Sequence, residues 1–140
     1  MISSPPANQP GRSLHEAWSP PPFLLEVAAG DDSLIPDVID AFNTDTLARI
    51  REIRTALAAS EFSKIQAEAH AIKGAAGQVG ADAVANACQE LETASNLQEA
   101  LLVAARLNHL QELFEEISRA MASHSSSRSI GSVPSLRIAR

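Results

Sequence analysis

The residues best suited to chemistry lie in one stretch, FSKIQAEAHAIKGAAGQVGADAVANACQELE, from Phe62 to Glu92. Within it His70 is followed by Lys73 at i+3 and Gly74 at i+4. An ordinary imidazole titrates near ~6.5, so at neutral pH most of it offers a free nucleophilic nitrogen. On a helix, a lysine three residues on stands about 5–6 Å away between Cβ atoms. An uncluttered imidazole beside a cation suits the acceptance of an anionic group. Gly74 and Gly77 sharpen that reading, because each costs about 1 kcal/mol relative to alanine inside a helix. They clear room for another surface to approach His70. A solitary histidine on a helix is ordinarily just solvated; the Lys-Gly step and the unfavourable glycines set this one apart. His15, His109 and His124 have no histidine or cysteine partner at i+3 or i+4 and keep the ordinary reading.

The element that must hold this group is a helix. Phe62, Ile65, Ala69, Ile72, Ala76 and Val79 recur at spacings of 3 and 4, which draws one apolar stripe. His70 lies off that stripe, on the flank shared with Gln66, Lys73, Gly74 and Gly77. Ser60 is placed to cap this helix at its start, and Gly80 to end it at C′. Asp82 can cap the next helix, whose Val84, Ala87, Cys88 and Leu91 face inward. Cys88 reads as a buried small side chain, and Glu92 has no partner evident from spacing. A last helix, about Leu97 to Ser123, carries the seam Val103, Leu107, Leu110, Phe114, Ile117 and Met121.

Upstream, Phe23, Leu24, Leu25, Val27 and Ala28 predict a short apolar helix ended by Gly30. Asp31, Asp32 and Ser33 offer a cap for the helix that follows, with Pro36 tolerated in its first turn. Leu34, Val38, Ala41 and Phe42 form its first face, and Leu47, Ile50, Ile53 and Leu57 continue it. The pattern weakens at Asn43 and Thr44, which predicts a kink there. Arg49, Arg51 and Arg54 read as a solvated face, or else as an electropositive rim.

Composition sets the outer limits. A chain of 140 residues that is 45% hydrophobic can bury one sizeable core. Aromatic residues are only 4%, with no tyrosine, which favours close-packed helices over sheet. Between Phe23 and Ser123 there are 16 acids against 7 bases, which argues against nucleic-acid binding by the folded part. No apolar window is long enough to span a membrane and no signal peptide is evident. One cysteine excludes an internal disulfide and fits the cytoplasm. Residues 1–22, with six prolines, read as a disordered lead-in; within it Leu14 to Trp18 could form a turn laying Trp18 over one end of the bundle. The serine-rich, arginine-bearing segment 124–140 reads as a flexible tail.

The run Ala69-His70-Ala71-Ile72-Lys73-Gly74-Ala75-Ala76, then Val79-Gly80-Ala81, then Cys88 and Leu91-Glu92, resembles the signature of histidine-containing phosphotransfer (HPt) domains of multistep phosphorelays. Val84 stands where the family often has leucine, and Ala75-Ala76 replace a small pair that often includes serine. The resemblance implies an all-α fold for residues 23–123: an antiparallel up-and-down four-helix bundle, a short N-terminal capping helix and disordered tails. It implies that His70 accepts a phosphoryl group, through Nε2, from a receiver-domain aspartyl phosphate and passes it to another response regulator. Lys73 would offset phosphoryl charge, and Gln66, Ala71, Gly74, Gly77 and Gln78 would form the docking surface.

The chain carries no P-loop, ATP lid or Mg²⁺-holding carboxylates, so it reads as a phosphocarrier rather than an enzyme, without cofactor or metal of its own. Mg²⁺ would belong to the receiver. The expected partners are receiver domains of a hybrid sensor kinase or response regulator, met by a monomer through about 1,200 Å² or less. A phosphorylation-independent adaptor of a kinase or receiver is the alternative, one that would need no His70, Lys73 and Gly74 together. Met1 before the lead-in reads as a separate small protein rather than a module of a larger kinase.

Overall fold

In the computed structural model residues 18–31 and 33–138 are described, with side chains as far as His124. The readings placed on residues 1–17, including His15 and the turn from Leu14, lie outside the described residues. Five helices follow one another: α1 (Pro22–Val27), α2 (Leu34–Ala58), α3 (Phe62–Gln78), α4 (Asp82–Asn96) and α5 (Ala100–Ile138). Each of the four long helices packs on the next, and α2 closes the ring against α5. Turns of a few residues make consecutive helices antiparallel, so this is an up-and-down four-helix bundle.

The stripes predicted on α3, α4 and α5 are the ones that form the core. Ile65, Ala69, Ile72 and Ala76 from α3 meet Val84, Ala87, Cys88 and Leu91 from α4 and Val103, Leu107, Leu110 and Met121 from α5. Each large aliphatic side chain removed from water there contributes about 1.5–3 kcal/mol. Cys88 is fully buried, and that burial, with the Glu92 charge nearby, pushes its thiol up to about 12. It is therefore an inert packing residue.

On α2 the buried set is Ile35, Ile39, Phe42, Thr46, Ile50, Ile53 and Ala56. This corrects the first predicted face by one position: Leu34 and Val38 are half-buried and Ala41 is exposed. The adjacent apolar pairs Leu34-Ile35, Val38-Ile39 and Ala41-Phe42 leave the phase ambiguous, and packing chose the larger second member at Ile39 and Phe42. No break occurs at Asn43 and Thr44; α2 runs unbroken, and Ser118 of α5 donates a hydrogen bond to Asn43 at 3.0 Å. Two of the three arginines brace the bundle. Arg49 pairs with Asp45 and with Glu68 of α3, each at 2.9 Å, and Arg54 donates to Gln111 of α5.

The caps differ from expectation. Ser60 caps nothing; it sits at φ 56 just past α2, where its N–H donates to the Leu57 carbonyl and that of Glu61 to Ala56. That is a Schellman closure, with serine in the left-handed position usually taken by glycine. We expect Ser60→Gly to stabilise the chain by about 1 kcal/mol, read as a raised denaturant midpoint at unchanged slope. Gly80 closes α3 in the same way at φ 75, as predicted. Asp82 is the first residue of α4 and not its cap, which is Ala81. Ser33 precedes α2 but spends its hydroxyl on Asp31.

At the α1 end, residues assigned to the lead-in belong to the folded unit. Trp18 is 7% exposed, its indole N–H donates to the Val79 carbonyl at 2.8 Å, and its ring meets His124 edge-on at 5.4 Å. Leu24 is buried from α1, while Phe23, Leu25 and Val27 face solvent. α5 begins at Ala100 instead of Leu97 and continues helical to Ile138, beyond the expected end at Ser123. Extending an existing helix avoids the nucleation cost a new one would bear.

Candidate functional site

His70 projects from the middle of α3, between Ala69 and Ile72, which are both fully buried. Its own side chain is 72% exposed. The helix is therefore anchored on one side while the imidazole stands clear on the other. Gly74 and Gly77 are exposed on the same side of α3, Gln66 and Lys73 are half-buried beside it, and Gln78 is exposed two turns on. Ala71 is half-buried at the edge of this surface. A Cβ added at Gly74 or Gly77 would meet nothing within 4 Å, so packing within the chain does not require glycine at either position.

The neighbour that spacing did not reveal is Glu92 on α4. Its Oε2 lies 2.9 Å from Lys73 Nζ and 3.6 Å from His70 Nδ1, with its side chain only 13% exposed. The directed hydrogen bond of Lys73 goes elsewhere, to Gln89 Oε1 at 2.7 Å. Glu92 Oε2 thus has a counter-charge close by but no aligned donor among the described residues. A small rotation of the imidazole would supply one. The available signal was the Leu91-Glu92 step, because Leu91 points into the core and places the next residue at the α3–α4 groove.

A shallow depression adjoins His70 on its N-terminal side, lined by Ser63, Gln66, Ala67, His70 and Glu92. Among the described residues no group of histidine, cysteine and carboxylate side chains is placed to hold a metal ion, and no helix is long and apolar enough to cross a membrane. The site therefore presents a nucleophile, a carboxylate behind one ring nitrogen, a tethered lysine and open ground beside them.

The sequence profile of the Hpt domain family matches residues 37–120, more than half of the chain. The chain belongs to that family, and its function is histidine phosphotransfer in a phosphorelay. In fold it is similar to histidine-containing phosphotransfer protein B of Pseudomonas aeruginosa PAO1, with a TM-score of 0.68 and 23% identity over 74% of this chain and 90% of the other. No curated protein sequence matches it.

Proposed function

We propose that His70 is the phosphoacceptor, taking the group from an aspartyl phosphate on a receiver domain and returning it to an aspartate on another. The lone pair of Nε2 forms the N–P bond as the P–O bond to the aspartate breaks, and the electron pair leaves with the carboxylate. The Nδ1 proton stays on the ring, where Glu92 balances the charge that develops. This is the role the 3.6 Å geometry suits: Glu92 lies on the Nδ1 side of the ring, which leaves Nε2 as the outward nitrogen. Lys73 offsets charge on the phosphoryl oxygens. Mg²⁺ belongs to the receiver, so the chain acts as a carrier and the partner supplies most of the catalysis.

Gln66, Ala71, Gly74, Gly77 and Gln78 form the ground on which the receiver lands. The observation that carries this reading is an exposed imidazole in the middle of a packed helix, backed by a nearly buried carboxylate and flanked by two glycines that the bundle itself does not need. The unpaired, buried Cys88 fits a cytoplasmic setting.

The test is transfer from a receiver domain charged with labelled acetyl phosphate and Mg²⁺. Acid-labile, base-stable label on this chain is the expected result; binding of several receivers without any label would favour an adaptor. Lys73→Ala should slow labelling about ten-fold without abolishing it, since one partly exposed charge contributes on the order of 1–2 kcal/mol to the transition state. Initial rates against receiver concentration would show it.

A further inference from the structure

The geometry points to Gln66 as a hydrogen-bond donor to the phosphoryl group once it is on His70, and to the depression N-terminal of His70 as the place that group occupies. This inference rests on His70 being the phosphoacceptor. Helical side chains lean toward the N-terminus, so the imidazole reaches back over the turn containing Gln66 and Ala67. The lining of the depression, Ser63, Gln66, Ala67, His70 and Glu92, is what that lean produces. Gln78 lies two turns the other way, and Gly74 and Gly77 offer no side chain.

Charge and bonding single out Gln66 within the depression. Lys73 acts by its charge, while its ammonium lies 2.9 Å from Glu92 and its directed hydrogen bond goes to Gln89. Gln66 stands at i−4 from His70, half-buried, and no hydrogen bond among the described residues takes up its carboxamide. A half-buried amide beside the nucleophile is available to a group that arrives from outside. Its N–H₂ suits a phosphoryl oxygen, and Ala67 next to it is small enough to leave the space open.

The consequence is a longer-lived phosphohistidine. In hydrolysis, water attacks phosphorus, the N–P bond breaks with its electron pair returning to Nε2, and inorganic phosphate leaves. In that in-line step phosphorus and its oxygens move away from Nε2 toward the water, so an amide fixed on α3 at hydrogen-bond distance from the resting group loses its alignment. A donor on those oxygens therefore holds the ground state more tightly than the transition state. Removing it speeds loss of the group.

The experiment uses the full chain, phosphorylated at His70 with phosphoramidate so that no receiver enters, with His70→Gln as the blank. The natural chain is compared with Gln66→Met, which keeps length and helix propensity but lacks the amide, and with Gln66→Glu. Loss of label is followed with time, and the ³¹P shift of the phosphohistidine is recorded. We expect a half-life shortened about five-fold in Gln66→Met, further in Gln66→Glu, and a moved ³¹P resonance, with thermal melting unchanged. Equal half-lives and shifts in all three chains would overturn the inference, even if transfer to a receiver were slowed, because Gln66 would then serve docking alone. Failure of the natural chain to take label from a charged receiver would instead overturn the phosphoacceptor assignment.

Discussion

His70→Gln takes no acid-labile, base-stable label from a charged receiver, while His109→Gln takes as much as the natural chain. Glutamine is the informative replacement because it keeps a polar side chain of similar reach and is a better helix former than histidine. Its amide nitrogen has no available lone pair, so the N–P bond cannot form. Stability should barely change, since the His70 side chain is 72% exposed and its one polar contact among the described residues is the 3.6 Å approach to Glu92. Both arms are needed: retained melting with lost label assigns the chemistry to His70, whereas retained label would move the phosphoacceptor to another histidine. His109 is the fitting comparison, an exposed histidine on α5 without such surroundings.

The second large effect concerns the N-terminal segment. Trp18→Ala should cost about 3–5 kcal/mol, the range for emptying a buried aromatic site. For a domain whose whole stability is of the order of 5–15 kcal/mol, that is a large share. Trp18→Phe separates the causes. It keeps most of the apolar contact at 7% exposure and loses the indole bond to the Val79 carbonyl, so about 1–2 kcal/mol is expected. Urea titrations of the three chains read these values. A chain begun at Phe23 should be weakened as much as Trp18→Ala; equal stability with the full chain would show that Trp18 adds nothing. Since Val79 ends the helix that carries His70, this clasp also fixes the far end of the helix bearing the site.

The separation between what local spacing could tell and what it could not runs through particular residues. His70, Lys73 and Gly74 were legible as a group because they lie on one helix, where offsets of three and four residues are neighbours by geometry alone. The faces of α3, α4 and α5 were legible for the same reason, as each carries one unambiguous stripe. On α2 adjacent apolar pairs blurred the phase, and only the neighbouring helices resolved it. Ser60 was read as a cap because serine favours caps; the tight closure onto Ala56 and Leu57 overrode that preference.

By itself, then, the sequence determined an all-helical bundle, the helix that bears the histidine, and the chemistry that histidine suits. Tertiary structure decided that Glu92 stands behind His70, that Lys73 is held between Glu92 and Gln89, and that Trp18 seals the end of α3 across 61 residues of chain. The division is physical. Periodicity follows from the helix's own pitch and can be read along one strand of sequence. Pairings between helices depend on their axial offset and rotation, which are settled only when all four stripes are buried together.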